Sequence, residues 1–124
     1  MRRTVFYISD GTGITAETIG HSVLTQFEGI DFETFRLPFV DSEEKAAGAA
    51  QRIRTRYAES GIRPIVVNTI MDQRLSDIVA DGGGLMLDVF APFIAPLETE
   101  LGTTRSPRVG KAHGLTNFDE YEAR

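Results

Sequence analysis

The feature that most constrains the fold of this chain is a regular alternation between short apolar runs and longer amphipathic segments. Each run is rich in β-branched and aromatic residues, which favours a strand, and each amphipathic segment repeats its apolar positions at helical spacing. Turns containing glycine or proline separate the two kinds of segment. Four strand–helix pairs follow one another, and strands too apolar to face water indicate a parallel sheet with helices on both faces.

The predicted elements have these bounds. The strands are residues 4–8, 32–40, 62–70 and 85–90, and the helices are residues 14–27, 41–61, 72–80 and 92–101. Because right-handed crossovers leave few topologies, we expect an open, mainly parallel four-stranded α/β sheet in the order 2-1-3-4, of Rossmann- or flavodoxin-like type.

Individual residues indicate where some helices begin and which side chains they bury. Asp41 is expected to cap the second helix, with Glu44 reaching back to it in a capping box. Asp72–Ala80 should turn its apolar residues inward, and Pro92 suits the first turn of the last helix. The side chains expected to be buried in the other three helices are Ile19, Val23, Leu24 and Phe27, then Ala46, Ala49, Ala50, Ile53 and Tyr57, then Phe93, Ile94, Leu97 and Leu101.

Length and composition exclude several classes of protein. The 124 residues suit one domain, and the absence of cysteine excludes disulfides, thiol nucleophiles and cysteine-based metal centres. A net charge of −5 argues against nucleic-acid partners. No apolar run approaches the roughly 18 residues that span a bilayer, and the first apolar segment is too short for a signal peptide. We therefore expect a cytoplasmic protein without a membrane partner.

The best candidate for a binding site follows the first strand. The candidate residues for binding phosphate or a nucleotide are Ser9, Asp10, Gly11, Thr12, Gly13 and Thr15. In an open parallel sheet, ligands bind beyond the carboxyl ends of the strands where the strand order reverses. The glycines allow close approach of the backbone, the hydroxyls can donate to a phosphate, and the N-terminus of the following helix attracts anions.

This glycine pattern has a second interpretation. Ala16 occupies the position of the third glycine in the dinucleotide fingerprint, so the segment could be a tight turn in which Thr12 or Thr15 caps the helix. A Walker A loop is absent, since Gly110-Lys111 is followed by Ala112. The residues thus leave a phosphate site and a purely structural turn both open, and they identify no catalytic residue.

Two polar residues on later strands are weaker candidates. Asn68 and Asp88 could face the same sheet edge as Asp10 and hold Mg²⁺ there. Alternatively, Asp88 caps the last helix and Asn68 hydrogen-bonds a loop, and no metal site is predicted. Glu17 and His21 lie one turn apart and are expected to pair on the surface of the first helix.

The last stretch of the sequence differs from the rest. We expect residues 1–102 to form the α/β domain and residues 103–124 to form an extended C-terminal linker or tail, because this stretch lacks an apolar period. Within it, His113 and Gly114 open a second candidate motif.

Several motifs resemble one family. They are Val5-Phe6-Tyr7-Ile8-Ser9-Asp10-Gly11-Thr12-Gly13-Ile14-Thr15-Ala16-Glu17-Thr18, Gly20-His21-Ser22, Leu37-Pro38-Phe39-Val40, Gly61-Ile62-Arg63-Pro64-Ile65-Val66, Ala95-Pro96-Leu97-Glu98, His113-Gly114-Leu115 and Tyr121-Glu122-Ala123-Arg124. On these motifs the chain resembles the phosphoenolpyruvate synthetase (pyruvate, phosphate dikinase) regulatory protein family over essentially its whole length.

The resemblance implies a bifunctional regulator. Members of this family phosphorylate a threonine of their target enzyme with ADP as donor, and they remove that phosphate with inorganic phosphate, releasing pyrophosphate. The implied partner is phosphoenolpyruvate synthase, or alternatively pyruvate, phosphate dikinase. No cofactor is expected for this chain itself. The implied cofactors of the full-length family are ADP and phosphate, with Mg²⁺ as a further candidate.

One departure from the family limits what can be transferred. Family members are more than twice as long, and their Walker-type loop lies in the second half, which no position of this sequence matches. We therefore expect this chain to be the amino-terminal domain, ahead of a P-loop kinase domain, and to be inactive as a kinase alone. It either contributes a phosphate- or nucleotide-binding loop or acts as a dimerisation and target-docking module.

Overall fold

The computed structural model describes residues 2–105. The eight elements, in chain order, are β1 (Arg2–Ile8), α1 (Ile14–Leu24), β2 (Asp31–Leu37), α2 (Glu43–Ser60), β3 (Ile65–Asn68), α3 (Gln73–Ala80), β4 (Leu85–Asp88) and α4 (Ala91–Leu101). The strands form one open sheet in the order β2-β1-β3-β4, and every pair is parallel. The predicted fold class and strand order are confirmed.

Alternate residues of β1 face the two helical layers. Phe6 and Ile8 pack with α2 and α3 in one buried cluster, whereas Val5 and Tyr7 pack with α1 in the other. This alternation follows from the two-residue repeat of a strand. Because β1 and β3 are central, their side chains are buried on both sides, and the core of the domain lies around them.

The start of α2 differs from the prediction. Ser42, not Asp41, is the N-cap residue, and its hydroxyl accepts a hydrogen bond from the Lys45 N–H at 3.2 Å. Asp41 instead forms an ion pair with Lys45 at 3.0 Å. The extended backbone of Ser42 turns its hydroxyl toward the first turn of the helix, which is the geometry that a capping side chain needs.

The predicted buried face of α1 is largely wrong. The buried residues of α1 are Ala16, Gly20 and Leu24, while Ile19 and Val23 are exposed. Phe27 lies beyond the end of the helix and is exposed as well. The helix approaches the sheet through its small residues, and this close approach leaves its larger apolar side chains at the flanks.

The other predicted elements are mostly shortened. β2 ends at Leu37, β3 spans only Ile65–Asn68, and β4 ends at Asp88. Leu85 and Leu87 are exposed because β4 is an edge strand without a helix packed over that face. Tyr57 of α2 is also exposed rather than buried.

The last helix departs most from the prediction. No residue of α4 is buried, and Phe93 and Leu101 are 69% and 67% exposed. Its predicted apolar face therefore forms part of the surface of residues 2–105.

Candidate functional site

The loop after β1 lies where the direction of strand progression reverses. Chain connections run from β1 outward to β2 and then back past β1 to β3, so the switch point falls between β1 and β3. Residues 9–13 leave the carboxyl end of β1 at this point and lead into α1. The structure thus places the predicted loop where open α/β sheets bind ligands.

Ser9 and Asp10 form the buried base of this loop. Ser9 is fully buried, and its hydroxyl accepts a hydrogen bond from the Gly11 N–H at 2.9 Å. One carboxylate oxygen of Asp10 accepts a hydrogen bond from the Met71 N–H at 3.0 Å, so Asp10 ties the loop to the segment after β3. These two side chains hold the loop in shape and do not line its outer surface.

The backbone of the loop is fixed from the β2 side as well. Phe39 N–H donates to the Gly11 carbonyl and Val40 N–H donates to the Ser9 carbonyl, both at 2.8 Å. Phe39 adopts a left-handed backbone with φ of 58°, which is uncommon for a residue other than glycine. The segment after β2 and the segment after β3 therefore both hold the loop.

The outer surface of the loop is formed by Thr12 and Thr15, with Gly13 buried between them. Thr12 is exposed, and its hydroxyl accepts a hydrogen bond from the Ile14 N–H at 3.4 Å. Gly13 is the N-cap residue of α1, has φ of +89°, and gives the helix no side-chain cap. Thr15 lies half-buried in the first turn. The hydroxyls of Thr12 and Thr15 and the N-terminus of α1 thus lie close together.

Arg36 is a neighbour of this loop that the sequence did not indicate. A Cβ atom at Gly13 would lie 2.9 Å from Cδ of Arg36, so the aliphatic part of that side chain crosses the glycine. The Arg36 guanidinium forms a 3.5 Å ion pair with Glu17 of α1, and the predicted surface pair of Glu17 with His21 is replaced by this one. The parallel register of β1 and β2, which sets Arg36 beside Tyr7, brings these distant positions together.

The polar residues of β3 and β4 form a separate network. The side-chain amide of Asn68 donates to Asp88 at 2.8 Å and to the Ser76 hydroxyl at 3.0 Å, while its oxygen accepts from the Ile70 N–H. Asn68 therefore forms a hydrogen bond with the loop after β3, as one of the two interpretations predicted. Asp88 does not cap α4, whose N-cap residue is Phe90. Within residues 2–105, no group of three or more acidic or histidine side chains is arranged to hold a metal ion.

The remaining candidates lie elsewhere. His113 and Gly114, and the predicted tail from residue 106 onward, are outside the described residues. Among the described helices, none is long and apolar enough to cross a bilayer.

Comparison with known proteins decides the family. The kinase/pyrophosphorylase family model matches residues 5–124. The chain belongs to the kinase/pyrophosphorylase family. The matched region includes the whole loop after β1 and every element of the sheet from Val5 onward.

Curated relatives in the family are closely similar. A protein of Stenotrophomonas maltophilia (strain K279a) is 62% identical over 122 residues, and one of Xanthomonas oryzae pv. oryzae (strain MAFF 311018) is 58% identical over 122 residues. Both are named as candidate phosphoenolpyruvate synthase regulatory proteins. The alignments cover 98% of this chain but 45% of each relative, so the chain spans less than half the length of these proteins.

Proposed function

We propose that this chain is the amino-terminal part of a bifunctional regulator of phosphoenolpyruvate synthase that acts in the cytoplasm. The observation that carries the proposal is the match of residues 5–124 to the kinase/pyrophosphorylase family, supported by the names of the curated relatives. Pyruvate, phosphate dikinase is the alternative target.

The proposed reactions balance as two phosphoryl transfers. In the first reaction a threonine hydroxyl of the target attacks the β-phosphorus of ADP, the bond to the α-phosphate oxygen breaks, and AMP leaves. In the second reaction inorganic phosphate attacks the phosphothreonine phosphorus, and the bond between that phosphorus and the threonine oxygen breaks. Pyrophosphate is formed, and the threonine oxygen takes up a proton. Such transfers depend on positioning and charge neutralisation, to which Mg²⁺ contributes in the full-length protein.

Within this regulator, the loop after β1 is proposed to bind a phosphate group of a nucleotide or inorganic phosphate. The N-terminus of α1 and the hydroxyls of Thr12 and Thr15 supply donors, and Arg36 supplies a positive charge beside Gly13. Anions bind favourably at such helix ends. Ser9, Asp10 and Gly11 support this surface from below.

Calorimetric titration of the 124-residue chain with phosphate, AMP and ADP tests this role. Binding of at least one of them is expected, and Thr12→Ala should weaken it about fivefold to tenfold, the value of one hydrogen bond. Gly13→Ala should abolish it, because the left-handed backbone and the Arg36 stem both oppose a Cβ atom. Gly29→Ala is the control, since Gly29 has φ of +80° but no atom within 4 Å of a Cβ. Flat titrations at millimolar ligand would refute a phosphate site.

A second test addresses the enzyme. ADP-dependent transfer of phosphate to phosphoenolpyruvate synthase is expected from a family-length protein that carries these residues, and no transfer is expected from the 124-residue chain. Transfer by the 124-residue chain would contradict the proposal that kinase activity requires the family-length protein.

A homodimer is the second candidate role, favoured by one specific observation. Exposed apolar side chains cluster between α1 and α4, where Ile19, Val23, Leu87 and Phe93 line a groove of about 560 Å³. A contiguous apolar surface of this kind is typical of an interaction site. In this role the groove contacts a second copy of the chain. Light scattering should then report a dimer, and Phe93→Ser should shift it to a monomer, whereas a wild-type monomer would exclude the role.

A further inference from the structure

A second groove lies on the same face of the sheet, between α1 and the edge strand β2. Helix α1 packs over β1 and β3, so the face of β2 beside it has no helix over it. The groove measures about 500 Å³, within the range of small-molecule sites. The residues that line it are Tyr7, Glu17, Thr18, His21, Ser22, Thr34 and Arg36.

The fixed element of this groove is the hydroxyl of Tyr7. The side chain is held between the sheet and Gly20 of α1, and the residue is only 4% exposed. Among residues 2–105, no group forms a hydrogen bond with that hydroxyl. The ring is buried, but the hydroxyl oxygen itself is not enclosed and opens onto the groove, where it can donate to a ligand atom.

The charged elements of the groove are movable. Arg36 and Glu17 are each about half exposed, and their 3.5 Å ion pair is of the kind that contributes little to stability. A ligand can therefore replace each partner of the pair without a large cost. The hydroxyls of Thr18, Ser22 and Thr34 surround the two charges.

We infer that the groove between α1 and β2 binds a small hydroxylated acid anion, in which a phosphate or carboxylate group lies beside a hydroxyl. The oxyanion pairs with Arg36 and accepts a hydrogen bond from the Tyr7 hydroxyl. The neighbouring hydroxyl of the ligand donates to Glu17, which as a carboxylate only accepts. This site shares Arg36 with the proposed phosphate site at the loop, whereas Tyr7, Glu17 and Thr34 belong to the groove alone.

The shape of the groove limits the size of the ligand. A second depression of about 300 Å³ adjoins it, since Tyr7, His21 and Thr34 line both. Leu24 and Phe32 line that depression and favour a short carbon skeleton. The charges of Glu17 and Arg36 cancel each other. The groove therefore disfavours a multivalent anion that has no hydroxyl group, because such an anion would pair with Arg36 and leave the Glu17 charge unpaired.

Calorimetric titration of the chain with glycerol 3-phosphate and with glycerate tests the inference and separates the two oxyanions. Binding of either compound supports the site, and the tighter one identifies the phosphate or the carboxylate as the preferred group. Inorganic phosphate, glycerol and serine are the comparison ligands, each lacking one part of the proposed chemistry. Equal or tighter binding of glycerol or serine overturns the inference, as does no binding of both test compounds at millimolar concentration. For inorganic phosphate only the binding that Tyr7→Phe weakens is compared, because the loop after β1 is proposed to bind phosphate as well and Tyr7 is not part of that loop.

Substitutions of groove residues test whether the ligand binds in the groove. Tyr7→Phe and Arg36→Gln are each expected to weaken binding about tenfold, the effect of losing a charge-assisted hydrogen bond. Tyr57→Phe and Arg2→Gln are the matched controls, since Tyr57 lies on α2 and Arg2 pairs with Glu33 at the start of the sheet. Thermal unfolding shows whether the variants fold. If Tyr7→Phe does not fold, Arg36→Gln still tests the inference, because Arg36 is at an exposed position. Unchanged binding in the folded variants overturns the assignment.

Discussion

Gly20 of α1 lies so close to the ring of Tyr7 that a methyl group at position 20 would overlap Cε1 of that ring. The same methyl group would lie 3.2 Å from Cγ2 of Val67 on β3. The missing side chain is therefore what allows α1 to rest directly on the two central strands. It also fixes the position of the Tyr7 ring beside the groove.

Gly20→Ala is expected to destabilise the chain by about 1–3 kcal/mol, because the added methyl group forces the helix or the ring to move. Urea unfolding measures the difference. Gly48→Ala is the matched control within α2, where a Cβ atom has no neighbour within 4 Å. There the higher helix propensity of alanine should stabilise the chain by roughly 0.5–1 kcal/mol. A stabilised Gly20→Ala variant would contradict the close packing.

Tyr7 should also make the stability fall at alkaline pH. Burial, with a further contribution from the Glu17 carboxylate, raises the pKa of the Tyr7 hydroxyl above its ordinary value of 10.0. Above that pH the unfolded chain has lost the proton while the folded chain still holds it. The unfolded state then binds fewer protons, so the free energy of unfolding decreases as the pH rises.

Urea unfolding of wild type and Tyr7→Phe at a series of pH values above 9 checks this expectation. The wild type should lose stability more steeply, because the phenylalanine variant lacks the titrating group. The other two tyrosines contribute to both proteins and cancel in the comparison. Parallel curves would show that the folded state does not raise the pKa of Tyr7.

The apolar alternation of the sequence was sufficient to predict the parallel sheet and its order, because buried central strands such as β1 and β3 need apolar residues on both faces. It was not sufficient to predict which face of a helix is buried. In α1 the spacing of Ile19 and Val23 fits a helical stripe, yet the contact is made by Gly20. Small residues carry little hydropathy, so close packing through them leaves no apolar signal.

The candidate site, too, could be predicted only in part from the sequence. Glycines and hydroxyls indicated the loop after β1, since their local chemistry is visible in consecutive residues. Arg36 lies 23 positions after Gly13 in the sequence, and only the register of β1 with β2 brings it to the loop. Ser9 is likewise a candidate from its residue type, but its burial shows that it supports the loop from inside and does not form its outer surface. Long-range contacts of this kind cannot be derived from spacing along the chain.

Asn68 joins three segments at the carboxyl edge of the sheet, and its replacement should be costly. Asn68→Ala leaves the buried Ile70 N–H without its acceptor and removes the donor to Asp88 and Ser76. We expect a loss of about 2–4 kcal/mol in the free energy of unfolding, measured with urea. Gln51→Ala on the exposed face of α2 is the control and should change stability by less than about 0.5 kcal/mol. Similar losses in both would show that the Asn68 network is not formed.

Arg56 connects α2 to the first two strands. Its Nε donates to the Thr4 hydroxyl at 2.9 Å, and its guanidinium pairs with Glu33 at 2.6 Å in a partly buried position. Because the aliphatic stem is kept in Arg56→Met, the change isolates these polar contacts. It should cost about 1–2 kcal/mol, since charge-assisted hydrogen bonds shielded from water are stronger than exposed pairs.

Arg54→Met is the matched comparison on the same helix. Arg54 pairs with Asp81 at 3.3 Å, and both side chains are exposed, so this change should cost about 0–0.5 kcal/mol. Raising the salt concentration should reduce the Arg54 difference to nothing, while a substantial part of the Arg56 difference persists because partly buried pairs are screened less. Equal costs, or complete loss of the Arg56 difference in salt, would mean that Arg56 contacts water rather than holding α2 to the sheet.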